Sequence, residues 1–379
     1  MKKILNFCPY YPPHIGGLEK HALELHEELT KKGFAVTVFT PNIPLVEKDI
    51  RDENGVTVIR YPAFEVIHNF PLPKFWSVKF WKMYFELFKK DFDAVFSITM
   101  FFHSPLLALP YSKIKKIKWI HIEHASDYTK SDSALVSTIA RIYSDTLGRM
   151  ALIMSDTNIA PSESAARFIS KFTSKPSEVI YRGMPFDEIE KIKPDTKLTE
   201  KFQNKQIVTY VGRLISGKGI IDLVKSIAKI NRDDFVLLVI GDGPEDENLK
   251  KMAKNLNIEN KVEFLGAKPF DEVLGVLKVS DVFVNPSYNE GLPTTVLEAG
   301  VCKCAIVATD VGGTKEIITH QKSGILIQPK DIENMAASIE ELLKNESKRK
   351  AFGDSAKKEI FERFNWEKSV NQYIEQIEK

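Results

Sequence analysis

In the second half of the chain two cations are spaced as an anionic leaving group would require, and two carboxylates follow them. Arg213 and Lys218, in Tyr210-Val211-Gly212-Arg213-Leu214 and Ser216-Gly217-Lys218-Gly219, put two cations five residues apart where a strand gives way to a helix. A diphosphate departing as its bond breaks needs such neutralisation, although a solvated loop with two surface cations fits the same residues. Downstream, Asn285-Pro286-Ser287 closes a strand and Tyr288-Asn289-Glu290-Gly291-Leu292-Pro293-Thr294-Thr295 opens a helix. Pro293 suits the first turn and Gly291 permits close backbone approach, so the N–H groups of Leu292, Thr294 and Thr295 are left free. One of Glu290 and Glu298 can then meet a sugar and the other a ribose diol, unless Glu298 is merely a solvated helix residue.

The first half offers an anion loop and a histidine. His14-Ile15-Gly16-Gly17-Leu18-Glu19 lies between a strand and a helix, where paired glycines let backbone amides approach a phosphate. A plain turn fits the glycine pair equally, and the spacing is not GxGxxG, so a dinucleotide fingerprint is absent. In Trp119-Ile120-His121-Ile122-Glu123-His124, alternation sets His121 and Glu123 on one face and His124 on the other, at the strand's carboxyl end. His124 is the better placed to reach a ligand and His121 reads as a core residue. No third and fourth metal ligands stand at useful spacing, so no metal is expected.

The elements that must carry these residues alternate. Short β-branched runs at Lys3–Phe7, Ala35–Phe39, Ala94–Ile98, Lys118–Ile122, Ile207–Val211, Val236–Ile240, Asp281–Asn285 and Ala305–Ala308 are separated by helical periods. Such alternation predicts an α/β chain of βαβ units with parallel, doubly wound sheets. Leu18, Ala22, Leu25 and Leu29 share one helical face, and Gly33 stops that helix. The pattern restarts near Gln206 after the polar, lysine-rich stretch Asp187–Lys205, where a hinge is expected. The predicted division is an N-terminal domain of residues 1–186, a C-terminal domain of residues 187–362, and a final helix in 363–379 that crosses back to the first domain.

Composition excludes several classes. With 53 basic and 51 acidic residues in 379, the net charge of +2 argues against a nucleic-acid binder. Three cysteines (Cys8, Cys302, Cys304) make no even disulfide set, and the start MKKILNFCPY lacks a signal-peptide core, so a cytoplasmic home is expected. The uncharged run 94–112 is interrupted by His103, Ser104 and Pro105 and does not read as a membrane span. Charge is uneven, about +5 for residues 1–185 and about −3 for the remainder. Residues 74–90 hold Trp76, Phe80, Trp81, Tyr84, Phe85 and Phe88 among lysines, and 113–118 adds four more lysines. This composition suits the inner face of an anionic membrane, or equally a helix packing its aromatics into the first domain.

Taken in order, Gly16-Gly17-Leu18-Glu19, Gly212-Arg213-Leu214 with Lys218-Gly219, Gly241-Asp242-Gly243-Pro244-Glu245, Glu290-x7-Glu298 and Val311-Gly312-Gly313-Thr314-Lys315-Glu316 resemble the retaining glycosyltransferases of family 4 over nearly the whole chain. The resemblance implies the GT-B fold, two facing Rossmann-like domains with a cleft between them. It implies a hexosyltransferase-type enzyme of polysaccharide biosynthesis that moves sugar, with retention, from a nucleotide-diphosphate sugar (UDP first, GDP second) to a hydroxyl of a glycan or lipid-linked acceptor. Arg213 and Lys218 would hold the diphosphate without a metal or other cofactor, Glu290 would face the sugar, and Glu298 the ribose. The amides of Gly16, Gly17 and of Gly291 to Thr295 would contact phosphates or sugar hydroxyls, and Leu265-Gly266 would lie near the base. His124 matches the family's first-domain histidine, although Glu123-His124-Ala125 departs from the commoner His-Gly form. A nucleotide-sugar 2-epimerase and a non-catalytic nucleotide-sugar binder are the alternatives.

Overall fold

The computed structural model describes residues 1–14, 16–46, 50–53, 55–67, 70–128 and 134–379. The chain forms two compact units, Met1–Gly183 together with Trp366–Lys379, and Met184–Asn365. The division therefore falls before residue 186, and the expected hinge stretch is not a linker. Helices Phe186–Lys191 and Thr196–Lys201 occupy it, with Ile189 and Leu198 buried. Lys278 Nζ donates to the carbonyls of Glu190 and Ile192, and Asp195 N donates to the Gly275 carbonyl, which ties the stretch to the second unit.

In the first unit, β1 (Lys3–Phe7), β2 (Ala35–Pro41), β3 (Ile50–Glu53), β4 (Val56–Tyr61), β7 (Ala94–Ile98), β8 (Lys118–Ile122), β9 (Thr157–Ala160) and β10 (Ser177–Val179) make one sheet, while β5 (Ala63–Ile67) and β6 (Phe70–Pro73) pair as a hairpin. The sheet order is β10-β9-β8-β7-β1-β2-β4-β3, parallel except for β3. Every residue of β7 is buried, as a strand covered on both faces by helices requires. Helix Gly17–Lys31 buries Ala22, Leu25 and Leu29 against it.

The terminal helix Trp366–Glu378 belongs to this same unit. Trp366, Val370, Tyr373 and Ile377, spaced on one helical face, join the core of Ile4, Leu25, Leu29 and Phe96. Helix Val78–Leu87, shorter than the 74–90 stretch, starts at a Ser77 cap and buries Phe80, Tyr84 and Leu87. The run 94–112 divides between β7 and helix Ser104–Lys115, and no described helix is long and apolar enough to cross a membrane.

The second unit holds β11 (Gln206–Val211), β12 (Phe235–Ile240), β13 (Val262–Gly266), β14 (Val282–Asn285), β15 (Ala305–Thr309) and β16 (Ile325–Ile327) in the order β13-β12-β11-β14-β15-β16. All its pairings are parallel. All six residues of β12 are buried, and the core runs from Val208 and Leu237 to Ile339 and Leu342.

Candidate active site

β11 and β14 are neighbours, yet the chain leads from β11 to one side of the sheet and from β14 to the other. At such a switch point an open parallel sheet leaves a crevice outside its carboxyl ends, where ligands bind. The loops after these two strands carry Arg213, Lys218 and Glu290, so three of the residues singled out in the sequence converge there.

Their spacing is set by two glycines. Gly219, with φ of +66°, sits so close to the β14 loop that a Cβ would fall 2.0 Å from the Pro286 carbonyl oxygen. Gly312, with φ of +52°, approaches the other end of that loop, and a Cβ there would fall 1.6 Å from the Glu290 carbonyl oxygen. Gly313 N then donates to the Gly291 carbonyl at 2.9 Å, and Tyr288 N to the Gly217 carbonyl at 3.0 Å. The Tyr288 hydroxyl donates to Asp222 at 2.6 Å, and burial with this carboxylate pushes the phenol up. The Glu290 loop is thereby held from both sides.

Within this frame Lys218 Nζ donates to Glu290 Oε1 at 2.7 Å, with both side chains largely shielded. Arg213 is exposed on the adjoining turn, whose carbonyl accepts from the buried Tyr210 hydroxyl at 3.0 Å. Helix Thr294–Val301 begins just beyond Glu290, with Pro293 at its N-cap rather than inside its first turn. The first-turn amides of a helix have no intrahelical acceptor and favour an anion. Glu298 is 7% exposed, so it is a buried carboxylate and not a solvated helix residue. Leu265-Gly266 ends the edge strand β13, where Gly266 carbonyl accepts from Gly241 N at 2.9 Å.

In the first unit the switch point lies between β1 and β7. Gly16 is extended, with φ of −176°, and the room beside it is filled by the Glu19 carboxylate, which pairs with His14 Nδ1 at 2.8 Å. Gly17 opens the helix and faces open space. His124 lies two residues past the end of β8, with its Nε2 3.2 Å from Nδ1 of His21. Burial, reinforced by Arg182, pulls the His124 ring down to about 4 despite the nearby Glu123. His121 is fully buried and bonded to Ser97 Oγ at 2.9 Å, in keeping with a core role.

Sequence reasoning missed two residues that shape this region. Glu123 accepts from Thr99 Oγ1 (2.7 Å), Met100 N (2.7 Å) and Ala125 N (2.9 Å), so it joins the loops after β7 and β8. Its burial would raise the carboxyl, but the His121 ring and the Ala125 and Thr99 donors outweigh that and hold it below the ordinary value. His21 stacks on Trp366 at 5.8 Å and has a buried Nε2 without a partner among the described residues. The available signal was a histidine on the buried face marked by Leu18 and Leu25, since a polar group there must be paired or used.

Two Rossmann-like units, one carrying a cation–carboxylate cluster at its switch point, define a doubly wound α/β protein with the cluster where such sheets bind ligands. Residues 15–188 match Glycosyltransferase Family 4 and residues 192–359 match Glycosyl transferases group 1. An uncharacterised glycosyltransferase of Methanocaldococcus jannaschii, MJ1069, is 37% identical over 100% of this chain and 98% of its own. The chain belongs to the group 1 glycosyltransferases and has their GT-B fold. Sucrose-phosphate synthase of Thermosynechococcus elongatus superposes with a TM-score of 0.80 at 20% identity, covering 99% of this chain and 98% of its own. HepE of Anabaena, solved with UDP and glucose, gives 0.79 at 17% identity over the whole of both chains.

Proposed function

We propose that the protein transfers a hexosyl group, with retention, from a UDP-sugar to a hydroxyl of a glycan or lipid-linked acceptor in polysaccharide assembly, working peripherally at the cytoplasmic face of a membrane. The observation that carries the reading is the Lys218–Glu290 pair at the β11/β14 switch point, beside the first-turn amides of helix Thr294–Val301. A diphosphate arriving there meets Lys218, Arg213 and those amides, while Glu290 is released toward the sugar hydroxyls. The buried Glu298 is assigned to the ribose, Leu265-Gly266 to the base, and Gly16-Gly17 to phosphate or sugar. The UDP and glucose held by the Anabaena protein support UDP as the donor nucleotide.

In the proposed step the bond from the anomeric carbon to the β-phosphate oxygen breaks, and the electron pair leaves with UDP. The acceptor oxygen bonds to the same face and its proton passes to the leaving diphosphate. Arg213 and Lys218 offset the charge that develops on UDP, which lowers the barrier to departure without a metal. His124 is assigned a catalytic role as a neutral imidazole, consistent with its depressed pKa.

The test is a thermal shift series with UDP, GDP and ADP, followed by turnover of the matching nucleotide sugars against lipid-linked and free glycan acceptors, with and without EDTA. A shift with UDP, EDTA-resistant transfer and an axial product from an axial donor are expected. Donor conversion without acceptor would instead identify a 2-epimerase, and binding without turnover a binding protein.

A further inference from the structure

Two neutral histidines that share a hydrogen bond cannot choose their tautomers separately. His21 and His124 are 103 positions apart, and Nδ1 of His21 stands 3.2 Å from Nε2 of His124 with the rings crossing at 75°. An uncharged imidazole has one N–H and one bare nitrogen, so one ring must donate and the other accept. Burial keeps both rings uncharged, and the Arg182 guanidinium, pinned by Glu24 at 2.8 and 3.2 Å, opposes further positive charge beside them. His26 acts in the same sense on His21, and His121 on His124. Glu123 and Glu19, which favour a charged His124, do not outweigh these effects.

The far side of His21 decides the direction of the bond. His21 lies on the buried face of helix Gly17–Lys31, and its Nε2 has no partner among the described residues. Its ring is stacked on Trp366 with only 23° between the planes, so an N–H lying in the His21 plane runs alongside the indole and not into its π face. Trp366 is itself seated, because it fills the space that a Cβ on Gly183 would need. Were His124 the donor, His21 would carry its proton on Nε2 and bury an N–H with no acceptor. Orphaned buried N–H groups are rare and costly. With His21 donating from Nδ1, the unpaired Nε2 is only a lone pair, and His124 takes its own proton on Nδ1.

We propose that His21 is a positioning residue that donates from Nδ1 to Nε2 of His124, holding His124 as the tautomer whose Nδ1–H is offered to an oxygen of the bound substrate. This role deepens the one proposed for His124 and rests on it. The bond made at one imidazole nitrogen sets which other nitrogen meets a ligand. With Nε2 occupied, His124 acts as a donor and takes no proton from the acceptor hydroxyl, in keeping with passage of that proton to the leaving diphosphate. Trp366 brings the last helix into the same arrangement.

The test labels the histidines of the full chain with nitrogen-15 and reads by NMR which nitrogen of His124 is protonated at pH 7, the signals being assigned with a His124→Gln sample. The parent should carry the proton on Nδ1. His21→Phe, which keeps a ring on Trp366 but has no nitrogen, should lose that preference. UDP release from UDP-glucose, with water as acceptor, is measured beside it. His21→Phe should lower kcat by about 10- to 100-fold with KM changed by less than about twofold, as when a working histidine loses the partner that orients it. His21→Asn, whose amide can donate from the place of Nδ1, should recover most of the rate, and His21→Gln, whose amide reaches the place of Nε2, should not. The proposal is overturned if His124 of the parent is protonated on Nε2, if His21→Phe leaves that tautomer unchanged or turns over like the parent while His124→Gln does not, or if His21→Asn is no faster than His21→Gln. Should His21→Phe fail to fold, the tautomer of the parent and the contrast between Asn and Gln decide. Full activity in His124→Gln would count against the role of His124, and no UDP release by the parent against the UDP-sugar reading; the tautomer measurement stands apart from both.

Discussion

Lys218 and Glu290, 72 positions apart in the chain, form a 2.7 Å ion pair at the carboxyl edge of the second sheet. On the proposed reading each is the other's partner until a donor arrives, and a diphosphate must win Lys218 from a carboxylate. Replacing either residue by Ala should lower kcat/KM by roughly 100-fold or more, because Lys218 would meet the charge that moves onto the leaving group and Glu290 the positive character that develops at the sugar. Stability should change by only about 1 kcal/mol or less, as for most partly solvated pairs. Steady-state kinetics alongside urea denaturation check both halves of this statement.

Gly312→Ala tests the frame rather than the charges. Its Cβ would meet the Glu290 carbonyl at a left-handed backbone position, so the loop must move or the backbone must strain. A loss of roughly 1–3 kcal/mol is expected. Because the displaced atom belongs to Glu290, UDP affinity should fall as well, which isothermal titration at a temperature below unfolding measures.

Acid should destabilise the first unit before its carboxylates titrate. Burial holds His103 down to about 4 and His26 to about 3, against an ordinary 6.5. The unfolded chain therefore takes up protons below pH 6.5 that the folded chain refuses. Stability is complete above that pH and declines as pH falls toward 4, with His103 alone contributing roughly 3 kcal/mol across the window. Urea midpoints at pH 7, 5.5 and 4.5 should fall in that order, and His103→Gln should flatten the slope. A midpoint that rose on acidification would contradict the account.

The cysteines should be inert while the protein is folded. Burial pushes Cys8 and Cys304 well up and Cys302 to about 12. At pH 8 Cys302 then carries roughly 1000-fold less thiolate than a free cysteine. Iodoacetamide followed by mass spectrometry should find the native chain unmodified and the urea-unfolded chain carrying three adducts.

Much of this arrangement was legible in the sequence because it is local. β7 and β8 occupy the expected residues, since a central parallel strand is a short run of buried β-branched and aromatic side chains flanked by polar turns. β4, β9 and the β5–β6 hairpin were not foreseen. Proline and charge interrupt the hairpin, and edge or short strands owe their form to a neighbour more than to their own pattern. The same distinction runs through the site. Glu290, Glu298, Arg213 and Lys218 are picked out by the order of motifs that carries the family resemblance, whereas the Lys218–Glu290 contact, the three donors around Glu123 and the His21–His124 contact exist only once distant segments meet.

The return of helix Trp366–Glu378 to the first unit has a consequence for biosynthesis. A ribosome releases residues 184–365, a contiguous segment with its own core, before the last helix emerges. The first unit, although its sheet is translated before the second, lacks Trp366, Val370, Tyr373 and Ile377 until the segment after residue 365 has been made. The later-made unit can thus reach its native state first, while the earlier-made one keeps an open apolar seam until that helix arrives.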